Sequence, residues 1–188
     1  MSLTKLMRFA SGDPQEWHKE PFLVKIKRTS WSGATDGVMM FAFKKKVQAE
    51  VPKDHPEEVL LDLLSHEPSR STMVPVAKLK EWAGKAPRKR IPKDQDVYLE
   101  DCGNLMGVAV DRRKLAFLLA KVNIPSVHAW VKNEYVIVFE PPNGQWRAFL
   151  AGYKDKPEPE LVVFDPDQET PSAVNEDLMD LMEEADQG

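Results

Sequence analysis

Residues 101–153 read DCGNLMGVAVDRRKLAFLLAKVNIPSVHAWVKNEYVIVFEPPNGQWRAFLAGY, and this stretch decides the fold. Asp111 is a good N-cap for a helix, and the apolar positions that follow recur at helical spacing: Leu115, Leu118, Leu119 and Val122. A strand is predicted before the helix, at residues 105–110. Three strands separated by turn residues are predicted after it, at 127–132, 135–140 and 145–152. We therefore predict a β-α-β-β-β unit at about 97–152.

The first half of the chain predicts further strands and two helices. Residues 22–28 alternate apolar and polar side chains, and 38–47 predict a second strand. Residues 30–37 contain Gly33, Asp36 and Gly37, so we interpret them as the turn of a hairpin. One helix is expected from Pro56, with an apolar face of Val59, Leu60, Leu63 and Leu64, and another from Pro75 to Ala83. Leu161–Phe164 predicts an edge strand. The fold class is α+β, mainly antiparallel sheet with two to three packed helices.

Charge divides the chain into a basic body and an acidic C-terminal tail. The net charge is −4, but residues 1–154 carry +7 and residues 155–188 carry −11. Such asymmetry is typical of nucleic-acid contact or of an acidic interaction tail, and a merely solubilising tail is the alternative. We predict a single domain over residues 1–165, or two packed halves joined by the basic loop (residues 85–95). Residues 166–188 are predicted to be a largely disordered tail with a short helix.

The basic loop is the strongest candidate for a binding site. Five cations lie within nine residues around Pro87 and Pro92: Lys85, Arg88, Lys89, Arg90 and Lys93. Proline favours an extended loop, which would distribute these cations along a phosphate backbone. A second cluster, Arg112, Arg113 and Lys114, would extend the same field if it shares a face. The alternative is a solvated loop.

The tail contains an apolar stripe that suits helix-in-groove binding: Leu178, Met179, Leu181 and Met182. The alternative function is therefore a protein–protein assembly subunit, with a protein partner or a homo-oligomer. We also considered that the tail competes with nucleic acid for the basic surface.

Few residues favour catalysis. The four histidines are far apart in sequence, no metal-ligand spacing or phosphate-binding glycine loop occurs, and we predict neither metal nor cofactor. Cys102 is the single cysteine, which is typical of a reducing compartment, and no apolar stretch predicts a membrane span. We expect a cytoplasmic, non-enzymatic binding protein, with an enzyme whose site we do not recognise as the third alternative.

Gly103 and Gly107 predict a hairpin or bulge, and Trp130 and Trp146 predict either core packing or a base-stacking platform on one sheet face.

Residues 101–153 resemble half of one domain of a DNA polymerase sliding clamp. The order of a strand, a helix and three antiparallel strands carries the resemblance, together with Asn104, Leu105, Gly107, Val108 and the segment 138–141. Residues 1–95 do not visibly repeat the unit. The resemblance implies that the helix bearing Arg112, Arg113 and Lys114 faces a DNA duplex and that the chain self-associates into a ring.

Overall fold

The computed structural model describes residues 21–46, 56–65, 68, 70–85, 102–120, 122–153 and 162–165. These residues form a seven-stranded antiparallel sheet, a three-stranded sheet and three helices, which confirms the predicted α+β class. None of the helices in the described ranges is long and apolar enough to cross a membrane.

The seven-stranded sheet contains strands from both halves of the chain. Its members, in spatial order, are β1 (Phe22–Ile26), β2 (Thr29–Thr35), β3 (Met39–Phe43), β9 (Trp146–Ala151), β8 (Val136–Glu140), β7 (Ser126–Lys132) and β4 (Thr72–Pro75). At the centre β3 pairs with β9, and Phe41 lies opposite Ala148. Two three-stranded meanders are thereby joined into one sheet, and β4 forms an edge beside β7.

The turn predicted at residues 30–37 is wrong, because most of this segment is strand β2. β1 and β2 are joined through Lys27, which has a positive φ of 53°, and Arg28. Small and polar residues hide the strand in the sequence. Gly33 is required for packing, since a Cβ there would lie 2.3 Å from Cζ of Phe22.

The three-stranded sheet consists of β5 (Cys102–Leu105), β6 (Val108–Asp111) and β10 (Val162–Phe164). β5 and β6 form a hairpin, and Met106 and Gly107 both have positive φ in its two-residue turn. The glycine signal is therefore confirmed, and the strand predicted at 105–110 is divided by this turn. β10 pairs with β5 in parallel, as the predicted edge strand.

The helices cover both faces of the large sheet. Helices α2 (Val76–Gly84) and α3 (Arg112–Leu119) pack together on one face, where the main core lies. Helix α1 (Glu57–Ser65) covers a second core on the opposite face through Leu60 and Leu64. Val59 is 55% exposed, so its predicted place on the apolar face is wrong. The order β6-α3-β7-β8-β9 confirms the predicted β-α-β-β-β unit.

Candidate nucleic-acid interface

Helix α3 begins as its sequence predicts. Oδ1 of Asp111 accepts hydrogen bonds from the backbone N–H groups of Arg113 at 2.8 Å and Lys114 at 3.2 Å, which satisfies donors that a helix start leaves without partners. Leu115, Leu118 and Leu119 are buried against the sheet. The opposite side of the helix faces outward.

Three adjacent cations at the start of α3 point in three directions, because successive residues on a helix are about 100° apart. Arg112 is only 5% exposed, and its guanidinium lies 5.7 Å from the ring centroid of Trp82. Lys114 forms an ion pair with Asp36 in the turn between β2 and β3. Arg113 is half-buried. Of the three, Arg112 contributes to packing inside the molecule rather than to an outer surface.

The ion pair changes the acidity of Asp36. Burial on its own would raise the pKa of this carboxyl, but Lys114 and the backbone N–H groups of Met39 and Val38 bind the charged form. The net result is a pKa below the ordinary value of 3.8. Asp36 is thus held as a carboxylate that fixes the start of α3 to the sheet.

Helix α2 lies beside α3 and leads directly into the basic loop. It buries Val76, Leu79, Trp82 and Ala83. Nζ of Lys80 donates a hydrogen bond to the carbonyl of Val122 at 2.7 Å, which ties α2 to the residues just after α3. At its end Lys85 is 65% exposed and pairs with Glu81 at 3.0 Å.

Charge is segregated between the helices that cover the two faces of the large sheet. Helices α2 and α3 with their capping residues carry six basic and two acidic side chains. Helix α1, on the other face, carries three acidic side chains and no basic one. Even without the buried Arg112, the α2–α3 pair therefore carries a net positive charge, and α1 carries a net negative charge.

The structure describes half of the predicted cations. Lys85 and the group at the start of α3 belong to neighbouring helices on one face. Arg88, Lys89, Arg90 and Lys93 lie outside the described residues, as do Leu178, Met179, Leu181 and Met182. Their roles remain predictions.

Arg147 and Lys132, two buried cations on the face of the sheet that α1 covers, were not singled out from the sequence. The guanidinium of Arg147 lies 5.8 Å from the ring centroid of Trp31 and 5.6 Å from that of Trp130. It donates to Glu140 at 3.2 and 3.3 Å and to the carbonyl of Leu64 at 2.6 Å. Alternation along β9 is a signal that places Arg147 on this face, but nothing in the sequence shows that α1 covers it.

Lys132 is the second of these cations, and its side chain is 2% exposed. Its Nζ donates to the carbonyl of Asp62 at 2.6 Å and to Oδ2 of the same residue at 2.7 Å. Lys132 and Arg147 therefore hold the C-terminal half of α1, where carbonyl groups lack partners within the helix.

The base-stacking platform is not present. Trp130 belongs to the core under α1, and Trp146 packs against the main core, where its ring stacks on Phe41 at 5.2 Å. The two rings are on opposite faces of the sheet, so the platform prediction is wrong.

The described residues add little to the enzyme alternative. Nδ1 of His128 lies 3.3 Å from Oγ of Ser71 at an exposed position. Within the described ranges no group of three histidine, cysteine or acidic side chains is arranged to hold a metal ion. Cys102 is buried.

No protein-family model matches the sequence, and no curated protein sequence matches it. Among solved structures the chain is similar to the DNA polymerase III subunit beta from Borrelia burgdorferi, with a TM-score of 0.53, 11% identity and 81% of this chain covered. It is similar to the sliding clamp (DNA polymerase III subunit beta) from Pseudomonas aeruginosa, with a TM-score of 0.51, 12% identity and 83% covered. It is also similar to pol III beta from Caulobacter crescentus, with a TM-score of 0.52, 12% identity and 82% covered.

At this identity the likeness shows a shared fold. It confirms the sliding-clamp resemblance and extends it well beyond residues 101–153. The match spans 61–63% of the length of those chains, which is less than two thirds.

Proposed function

We propose that this chain is a non-enzymatic nucleic-acid-binding protein that contacts phosphates through the outer side of α2 and α3 and through the basic loop. The observation that carries the proposal is the segregation of charge between helices: besides the buried Arg112, the α2–α3 pair carries five basic and two acidic side chains, whereas α1 carries three acidic ones and no basic one. The sliding-clamp fold supports it, since two solved structures of that fold are named as DNA polymerase subunits.

Contacts within the protein show which of the predicted cations are available to bind phosphate. Arg112 is excluded because it is buried over Trp82, whereas Lys85 is well exposed at the end of α2. The basic loop starts at Lys85, and Arg88, Lys89 and Arg90 follow it three to five residues later in the sequence. We therefore assign the main phosphate contacts to the loop and a supporting contact to Arg113, since Lys114 is already paired with Asp36.

Salt dependence tests this assignment. Neutralised phosphates release counterions, so an interface with about six contacts is expected to lose roughly 10³-fold in affinity between about 50 and 200 mM salt. The measurement is fluorescence anisotropy of a labelled duplex of mixed sequence across that range of salt, with single-stranded DNA and RNA of equal length as separate arms.

A charge-matched pair of variants separates this surface from net charge. Arg88→Glu/Lys89→Glu/Arg90→Glu is expected to weaken duplex binding by at least about 100-fold and to reduce the log–log salt slope by about 3. Lys25→Glu/Lys27→Glu/Arg28→Glu changes the net charge equally on exposed residues in and just after β1, and its effect is expected to stay within about three-fold. Equal losses for both variants, or none for the first, would show that the assigned surface is wrong.

A further inference from the structure

The sheet face beneath α1 recognises its helix through a small set of groups. We call it the α1-binding face, and it is lined by Phe22, Trp31, Trp130, Lys132, Arg147 and Phe149. Leu60 and Leu64, four residues apart, are buried in it, and Asp62 between them pairs with Lys132. Arg147 caps the carbonyl of Leu64. The face thus selects an acidic helix with two apolar anchors four positions apart and an aspartate midway.

The C-terminal tail contains a second segment with this pattern. Residues 57–65 read EEVLLDLLS, and residues 175–183 read NEDLMDLME. In this alignment the anchors Leu60 and Leu64 correspond to Leu178 and Met182, and Asp62 corresponds to Asp180.

At every position of this alignment, an exposed residue of α1 corresponds to a polar residue of the tail, and a buried or half-buried one corresponds to an apolar residue. The five exposed positions of α1 are 57, 58, 59, 62 and 65, and all five are polar or acidic in the tail, including Asp177 where α1 has the exposed Val59. The four buried or half-buried positions, 60, 61, 63 and 64, are all leucine or methionine in the tail. In this alignment the aspartate of the tail corresponds to the residue of α1 that pairs with Lys132, and polar tail residues correspond only to exposed positions of α1.

We infer that residues 175–183 are a second occupant of the α1-binding face and dock there as a helix, on their own chain, when α1 leaves it. Leucine and methionine interchange at small cost in a core, and Asp180 supplies the carboxylate that the buried Lys132 requires. Arg147 binds a backbone carbonyl, which any helix provides.

Connectivity allows the same chain to be the source of this segment. From Asp165 to Asn175 the chain spans at most about 35 Å. Because Phe164 packs against Trp82 in the core under α2 and α3, this linker has to pass around an edge of the sheet to reach the α1-binding face. Both helices are tethered to the same body, so they compete at comparable effective concentration. α1 has only nine residues, and a helix of this length is marginal without its contacts.

Amide hydrogen exchange of the full chain tests whether the tail segment replaces α1 on the α1-binding face. In Leu60→Ala/Leu64→Ala the amides of residues 178–183 are expected to exchange at least about ten-fold more slowly than in the wild type, because the tail then occupies the face. Adding Asp180→Lys is expected to remove this protection. The matched control Leu178→Ala/Met182→Ala, with α1 intact, is expected to leave the exchange of residues 60–65 unchanged.

The outcomes are separable. Unchanged exchange at 178–183 in Leu60→Ala/Leu64→Ala, or protection that survives Asp180→Lys, overturns the inference. Protection that increases with protein concentration makes the occupant the tail of a second copy and overturns docking on the same chain.

A second measurement covers the case in which the double variant does not fold. An excess of a synthetic peptide of residues 174–184 is added to the wild-type full chain. It is expected to accelerate exchange of residues 60–65 by at least about three-fold, whereas a peptide carrying Asp180→Lys is expected to leave it unchanged. Equal effects of the two peptides, or none, contradict the inference.

Discussion

Replacing Arg147 by methionine removes a buried cation while keeping a side chain of similar length. The guanidinium makes two hydrogen bonds to Glu140 and one to the carbonyl of Leu64. Its side chain is 9% exposed and that of Glu140 is 16% exposed, so solvent replaces little of what is lost. Breaking a buried ion pair by removing one partner costs about 3–5 kcal/mol, because the other charge is left without compensation.

The three bonds give the same range. Hydrogen bonds to charged groups contribute about 1.5–3 kcal/mol each, and two of these are near the long end of the accepted distances, so the lower figure applies to each and the three together contribute about 4.5 kcal/mol. From both arguments we expect a loss of about 4 kcal/mol. Methionine still contacts the indole rings of Trp31 and Trp130, which limits the loss of packing. A loss of 4 kcal/mol is a large part of the roughly 5–15 kcal/mol by which folded domains are stable.

Urea unfolding at neutral pH, followed by tryptophan fluorescence and circular dichroism, measures the effect. We expect Arg147→Met to be about 4 kcal/mol less stable than the wild type, and Arg147→Met/Glu140→Met to regain at least about 2 kcal/mol, since the double variant leaves no buried charge without a partner. A single variant that loses less than about 1 kcal/mol, or a double variant whose loss equals the sum of the two singles, would refute this account.

Three further predictions concern other parts of the molecule. Asp36→Asn removes a carboxylate whose folded-state pKa is lowered, so the variant is expected to be about 1 kcal/mol less stable than the wild type at neutral pH. This difference in stability should disappear as the pH falls below about 3.8. Urea unfolding of both proteins at several pH values measures it. Gly33→Ala places a methyl group against Phe22 and is expected to cost about 2–3 kcal/mol, whereas Gly84→Ala, with nothing within 4 Å of its Cβ, should not destabilise; equal thermal melting points would contradict the packing argument. Truncation after Asp165 removes eight acidic and no basic residues and changes the net charge from −4 to +4; duplex affinity at low salt is expected to rise about ten-fold, and an unchanged affinity would show that the tail does not shield the basic surface.

The second half of the fold was predictable because several independent signals agree there. Asp111 caps α3, leucines at helical spacing follow, and turn residues separate the three strands that come next. In the first half β2 has no such signal, since Ser30, Ser32, Gly33 and Thr35 are residues that also form turns. Its strand conformation is stabilised by β1 and β3 on either side, which are tertiary contacts.

That three basic residues begin α3 was predictable from the sequence. The role of each cation was not, because adjacency in sequence does not imply a shared direction on a helix: Arg112 is buried, whereas Lys114 contacts Asp36 from a different strand pair. Nothing in the sequence shows that α1 covers the face on which Lys132 and Arg147 lie.

The pairing of β3 with β9 affects how this protein is made. Phe41 and Ala148, opposite each other at the centre of the sheet, are more than 100 residues apart in the chain. On the ribosome, the N-terminal meander therefore emerges with the outer edge of β3 open, and it stays open until nearly the whole body has been translated. Open strand edges pair with other chains, and contacts between distant segments form slowly. Nascent chains of this protein are therefore most exposed to misassembly, and to chaperone binding, in the interval before β9 leaves the exit tunnel.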